Sequence, residues 1–199
     1  MALLQNIEVS NAGILRLGLK AQDMVENFDD VLSFWFAPGM EGSWYADDPD
    51  FDARILSRFM ATYEIARDGR LDTWRANARS LLALIIVLDQ FPRNMFRSDA
   101  RAFATDHLAL ILTKEGINKG FHREFSGAQL DFFCMPLMHS ELLEDHRLLA
   151  DLGYADNSYA REHGEAIERF GRYPTRNAAL GRQNTPEEAR FLGLAVTSD

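Results

Sequence analysis

The sequence contains one cysteine, Cys134, among its 199 residues. A single thiol cannot form an internal disulfide, and sparse cysteine usage is typical of proteins in a reducing compartment, so we expect a cytoplasmic location. Cys134 lies in DFFCMP, beside phenylalanines and a methionine. An apolar setting raises the pKa of a thiol and makes it unreactive, which favours a structural role for this cysteine over a nucleophilic one.

Long apolar runs are also absent. The longest, Leu81 to Leu88, is far shorter than the roughly 20 residues that span a bilayer. The N-terminal MALLQNIEVSNAG has no basic residue ahead of its apolar ones, whereas a signal peptide begins with positive charge. We therefore predict neither a membrane protein nor a signal peptide.

Excess positive charge is lacking as well. The chain has 21 lysines and arginines against 30 acidic residues, a net charge of −9, which argues against general binding of nucleic acid or of an anionic membrane. The basic residues are unevenly placed. The segment from Arg169 to Arg182 contains Arg172 and Arg176 as well and has no acidic residue.

Strand patterns are nearly absent, whereas apolar residues recur at helical spacing between capping residues. We expect about seven helices in one all-α domain over residues 27–199, with residues 1–26 as an N-terminal extension. The central helix should end near Gln90, because Pro92 follows and proline disrupts a helix interior. The expected helices are Asn27 or Asp29 to Phe36, Phe51–Arg67, Asp72 or Thr73 to Gln90, Asp99–Glu115 after a Ser98 cap and before Gly116, Pro136–Leu152 before Gly153, Asp156 or Asn157 to Phe170, and one capped by Thr185.

Three long motifs stand out in this chain: LDQFPRNMFR, MPLMHSE and RFGRYPTRNAALGR. With the residues around them, from about Val31 to Leu192, they resemble the DUF924 family of bacterial proteins. It implies an all-α, TPR-like superhelix. The family has no assigned function, so the resemblance supplies architecture and candidate residues but no reaction.

The first candidate cluster follows the apolar run and consists of Asp89, Gln90, Arg93, Asn94 and Arg97. Arginine holds a carboxylate or phosphate with two parallel hydrogen bonds, and asparagine adds a donor and an acceptor. If the chain bends at Pro92, these groups leave the core helix and line a space outside it. The alternative is an internal network in which Asp89 pairs with an arginine of the chain.

The second candidate cluster contains Arg169, Arg172, Arg176, Asn177 and Arg182. Its YPTRN resembles the FPRN of the first cluster, so we expect two similar turns that bring their arginines together. Arginines without a neighbouring acid repel one another unless an anion lies between them. That anion could be a ligand, or an acid from elsewhere in the chain such as Glu141 or Asp89; a solvated basic face is the third alternative.

The third cluster is MHSELLEDH, with His139, Glu141 and His146. The spacing from His139 to Glu141 differs from that of an HExxH zinc pair, and His139 and His146 would be about 10 Å apart along a helix, so we expect no metal site. His139 or Glu141 could serve as an acid or base, and a structural histidine is the simpler alternative.

Together these clusters predict a polar pocket that binds a small carboxylate or phosphate, with a weak enzymatic role as an option and no cofactor. The competing hypothesis is a TPR-like module whose groove clamps an acidic peptide or a C-terminal carboxylate. In a third, the groups only satisfy one another. The predicted site residues are Asp89, Gln90, Arg93, Asn94, Arg97, His139, Glu141, Arg172, Arg176, Asn177 and Arg182.

Overall fold

In the computed structural model the structure describes residues 25–195, which form eight α-helices joined by short turns and contain no strand. The predicted all-α class is therefore confirmed, and the TPR-like arrangement stays a prediction. All but two residues of the predicted extension 1–26 lie outside the described residues. The helices are α1 Phe28–Trp35, α2 Pro49–Arg67, α3 Ala78–Met95, α4 Asp106–Asn118, α5 Ala128–His139, α6 Leu143–Leu149, α7 Ser158–Phe170 and α8 Pro186–Phe191.

Helix α3 lies at the centre of the core. Every residue from Leu81 to Leu88 is at most 4% exposed, and α3 contacts α1, α2, α4 and α5. A helix that is apolar on all sides must be covered on all sides, which its sequence predicts. The start of this helix is one turn later than expected, because Asp72–Ala76 forms a separate 3-10 turn and Asn77 caps α3.

Pro92 lies inside α3, which continues to Met95, so the prediction that this helix ends near Gln90 is wrong. Proline has no N–H, and the carbonyl of Leu88 therefore loses its helical partner. The hydroxyl of Thr105 donates to that carbonyl at 2.5 Å instead. Because the helix continues, Asp89 and Arg93 lie one turn apart on the same face and do not project from a bend.

The helix predicted over Asp99–Glu115 is divided at its start and continues past its predicted end. The segment after Ser98 forms a 3-10 turn, Ala100–Phe103, before α4 begins. Gly116 does not end α4 but lies inside it, against α5: a β-carbon there would be 2.5 Å from Phe133 Cζ. Close helix packing therefore explains this glycine.

Pro136, predicted to begin a helix, lies inside α5. The chain turns after His139, and α6 follows. A widened π-helical turn, Ala150–Tyr154, comes next. It contains Gly153, the predicted end of this helix, whose φ is 101°. The predicted caps Asn27, Asn157 and Thr185 are confirmed.

Candidate functional site

A buried carboxylate holds a histidine at the end of α5. Asp89 is 1% exposed, and its Oδ1 is 2.8 Å from His139 Nδ1. An ionised carboxylate only accepts hydrogen bonds, so Nδ1 carries the proton. Gln90 donates to the other oxygen of Asp89. Burial alone would raise the pKa of Asp89, but the positive charge of Arg93 and the contact with His139 outweigh it and hold that pKa below its usual range.

Arg93 lies one turn after Asp89 and binds the first residue of α4. Its Nη1 and Nη2 donate to the two oxygens of Asp106 at 2.8 and 2.9 Å, and Nη1 is 3.4 Å from Asp89 Oδ1. Asp106 joins this cluster and is absent from the site residues predicted from the sequence. The structure puts Asp106 in the first turn of α4, whereas the helix predicted over Asp99–Glu115 put it in mid-helix, so no signal in the sequence singled it out.

Arg176 reaches the same carboxylate from YPTRN, which forms the 3-10 turn Pro174–Arg176. FPRN lies inside α3, so the prediction of two similar turns is wrong. Arg176 Nη1 donates to Asp106 Oδ2 at 3.2 Å, and its Nη2 donates to the carbonyl of His139 at 3.0 Å. The guanidinium carbon lies 4.8 Å from the ring centroid of Phe103 and 4.6 Å from that of Tyr173. Burial, and next the charge of Arg93, lower the pKa of Arg176. The structure thus brings Arg93 and Arg176 together at Asp106.

Other predicted residues bind acids in separate places. Asn94 Nδ2 and Arg97 Nη2 donate to Asp52 Oδ1 at 2.8 and 3.0 Å, which ties the end of α3 to the start of α2. Arg172 donates to both oxygens of the buried Glu188, at 2.6 and 2.8 Å. These three predicted site residues are therefore occupied in pairs that join helix ends and do not contact Asp106.

Glu141 and Arg182 hold the loop that carries Arg176. Arg182 Nη1 and Nη2 donate to Glu141 at 2.7 and 3.0 Å, and the backbone N–H of Tyr173 donates to the same carboxylate at 2.8 Å. Burial works to raise the pKa of Glu141, yet the Arg182 hydrogen bond and the Tyr173 N–H lower it overall. Glu141 therefore stays ionised and positions the loop. Asn177 of the same loop is fully buried and donates to Asn184 at 2.7 Å.

Acids from elsewhere in the chain thus provide partners for the predicted arginines, and this was one of the alternatives left open. The surface formed by Arg93, Asp106, His139 and Arg176, here called the Asp106 surface, differs from the other pairs because two guanidinium groups share one carboxylate. Its side chains are 13–20% exposed, whereas Asp89 beneath them is 1% exposed. Three cavities of the molecule lie elsewhere, and no predicted site residue lines them. The Asp106 surface is therefore not part of those cavities.

Comparison with known proteins agrees with this architecture. Residues 31–195 match the model of a family described as bacterial proteins of unknown function, DUF924. The chain belongs to the DUF924 family. A solved structure, that of the protein of unknown function ATU0120 from Agrobacterium tumefaciens, is similar to this DUF924 chain at 38% identity and a TM-score of 0.78. The match covers 83% of this chain and 96% of that one. Among curated proteins no significant match is found.

Three further observations concern metal ligands, membrane-spanning helices and the single cysteine of this DUF924 protein. Among residues 25–195, no three His, Cys, Asp or Glu side chains are grouped so that they could hold a metal ion. No helix in that range combines the length and apolarity needed to cross a membrane. Burial raises the pKa of the Cys134 thiol to about 12, so the thiol is protonated at neutral pH.

Proposed function

We propose that this DUF924 protein binds a small carboxylate or phosphate at the Asp106 surface. The observation that carries the proposal is that two guanidinium groups share a single carboxylate. A guanidinium has five N–H donors, whereas Arg93 makes three hydrogen bonds and Arg176 makes two to the described residues. The remaining donors are at a partly exposed surface and suit an oxyanion, which arginine binds with two parallel hydrogen bonds.

His139 makes acid–base chemistry possible on an anion bound there. Burial, and next the charge of Arg93, lower the pKa of His139, so its imidazole is neutral at pH 7. Because Nδ1 donates to Asp89, the neutral ring has its lone pair on Nε2, which makes no hydrogen bond to the described residues. A neutral Nε2 beside two guanidinium groups can accept a proton from a bound molecule. A weak enzymatic role for His139 is therefore part of the proposal.

A second candidate is a clamp for the C-terminal carboxylate of an acidic peptide. It is favoured by the partial exposure of the Asp106 surface, whose side chains are 13–20% exposed, because a carboxylate at a chain end can reach donors at the molecular surface. The two candidates use the same arginines and differ in how much of the bound molecule lies beyond its carboxylate.

Melting temperatures in phosphate, citrate and acetate, each compared with chloride at equal ionic strength, test the proposal. An anion that binds only the folded state stabilises it by about 2.7 kcal/mol at a hundredfold excess over Kd. Arg176→Gln should abolish this response. The control is Arg79→Gln on α3, which removes an exposed ion pair with Asp29 of α1 and should retain the response.

Each remaining outcome has a distinct meaning. A flat response of the wild-type protein to all three anions contradicts the small-anion proposal. A response only to an acidic peptide with a free C-terminus, lost in the same peptide with an amidated end, supports the clamp.

A further inference from the structure

A second polar site lies between α6, the π-helical turn and α7. It is a surface depression of about 340 Å³ whose lining shares no residue with the Asp106 surface. Its buried lining includes His146 and Ala160, and Gly164 is half-buried. The exposed charged residues at its rim are Arg147, Arg161, Glu165 and Glu168.

His146 offers an unused acceptor in this depression. Its Nε2 is 2.9 Å from the carbonyl oxygen of Ser140, and since a carbonyl only accepts, Nε2 carries the proton. The other nitrogen, Nδ1, is therefore a lone-pair acceptor. It is buried and has no hydrogen-bond partner among the described residues, although buried polar atoms are nearly always paired. The residue as a whole is 8% exposed.

A glycine leaves space beside that acceptor. A β-carbon at Gly164 would have His146 Nδ1 as its one neighbour within 4 Å, at 3.8 Å. Gly164 lies inside α7, where glycine is a poor helix former, so its presence there is explained by the space it leaves. Ala150 and Tyr154 of the π-helical turn also line the depression.

The rim carries unpaired charges of both signs. Arg147, Arg161, Glu165 and Glu168 take part in none of the ion pairs found within residues 25–195. Glu165 and Glu168 are three residues apart and therefore share a face of α7. Carboxylates attract an ammonium group, and guanidinium groups attract a carboxylate.

We propose that this depression binds a small zwitterion of the amino-acid class. The ammonium group donates to His146 Nδ1 through the space at Gly164 and is attracted by the two rim glutamates, while the carboxylate is held by a rim arginine. The ligand needs a hydrogen-bond donor because Nδ1 is an acceptor. A ligand with one positive and one negative group matches the rim, which has both glutamates and arginines. The volume is at the lower end of the range for small-molecule sites, which suits a ligand of this size.

The binding test uses the wild-type protein and a panel of free amino acids, with acetate and ethanolamine as single-charge probes. Calorimetry measures affinity, and long-range proton–nitrogen NMR measures the state of the His146 ring nitrogens. We expect Nε2 to be protonated and Nδ1 unprotonated in the free protein. At least one amino acid should bind and shift the Nδ1 resonance, with either single-charge probe binding more weakly.

Substitution of Gly164 tests whether the ligand reaches His146 Nδ1 through the space beside this glycine, and it removes no buried side chain. Gly164→Ala puts a methyl group beside Nδ1 at an ordinary contact distance and favours the helix, so folding should be retained. Loss of one hydrogen bond corresponds to about a tenfold weaker affinity, and the larger Gly164→Leu should abolish binding. The control His163→Gln changes another α7 histidine, whose Nδ1 bonds to the carbonyl of Tyr159 and which does not line the depression.

Three results would overturn the proposal. The first is that no amino acid binds or shifts Nδ1, and the second is that Gly164→Leu binds as well as the wild type. The third is that acetate binds as tightly as every amino acid, because the ammonium group then contributes nothing. None of these results affects the proposal for the Asp106 surface.

Discussion

Replacing Arg93 with glutamine should reveal how strongly the Asp89–His139 pair depends on its neighbouring charge. Arg93 contributes positive charge 3.4 Å from a carboxylate that is 1% exposed. Removing one partner of a buried ion pair typically costs roughly 3–5 kcal/mol, because the other charge is left buried without compensation. His139 still contacts Asp89, and Gln90 still donates to it, so we expect a loss of about 3 kcal/mol at pH 7, at the lower end of that range.

The loss should shrink in acid. In the wild type the folded-state pKa of Asp89 is depressed, so its ionised form stabilises the fold above the unfolded-state pKa of about 3.9, and this contribution is lost as the pH falls through the folded-state pKa. In Arg93→Gln, burial without the guanidinium should raise that pKa above the unfolded value. The resulting cost is then present at neutral pH and disappears as the pH falls towards about 4.

Urea unfolding of the wild type and of Arg93→Gln at pH 7 and pH 4.5 measures this change. The control is Arg97→Gln from the same motif. Arg97 is 38% exposed, and its partner Asp52 retains Asn94, so the control should lose no more than about 1 kcal/mol. If Arg93→Gln loses less than about 1 kcal/mol, or loses the same amount at both pH values, the assignment of Arg93 as the charge partner of Asp89 is wrong.

The same measurement on Arg176→Gln separates an anion site from an internal network. Asp106 would still have both hydrogen bonds from Arg93, and burial with Arg93 already lowers the pKa of Arg176. We therefore expect a loss of no more than about 1 kcal/mol, the size of the hydrogen bond to the carbonyl of His139 that is removed. A large loss in both variants, relieved by acid, would contradict the anion-binding proposal and favour the internal network.

Three further predictions concern the fold. Thr105→Val leaves the carbonyl of Leu88 without a partner and should lower the free energy of unfolding by about 1–3 kcal/mol, measured by urea unfolding. Pro92→Ala restores a backbone N–H for that carbonyl, so the loss should be smaller in the double variant. If the effects of the two substitutions simply add, Thr105 does not replace the missing donor. Gly116→Ala puts a β-carbon 2.5 Å from Phe133 and should lower stability by about 1–3 kcal/mol despite the better helix former, whereas an unchanged midpoint would contradict the close packing. Cys134 should react with a thiol reagent only as the protein unfolds, because burial raises its pKa to about 12, and rapid labelling of the folded protein would show otherwise.

Local patterns were sufficient to predict the helical class and several helix ends. Asn27, Asn157 and Thr185 cap helices as predicted, because a cap is a contact between residues about three positions apart. The burial of Leu81 to Leu88 also follows from the sequence, since an apolar run of this kind must be removed from water.

Contacts between distant residues were decided by the tertiary structure alone. Pro92 is accommodated inside α3 because Thr105, which begins the next packed segment, provides the missing donor. The sequence offers 30 acidic residues as partners for the arginines, and no local rule selects Asp106, which is 70 positions from Arg176. Helix packing determines which charges meet, because an ion pair needs proximity in space and is independent of separation along the chain. The sequence could therefore indicate which residue types a site would use, while the packing of α3, α4 and α5 with the loop after α7 decided which of them share one surface.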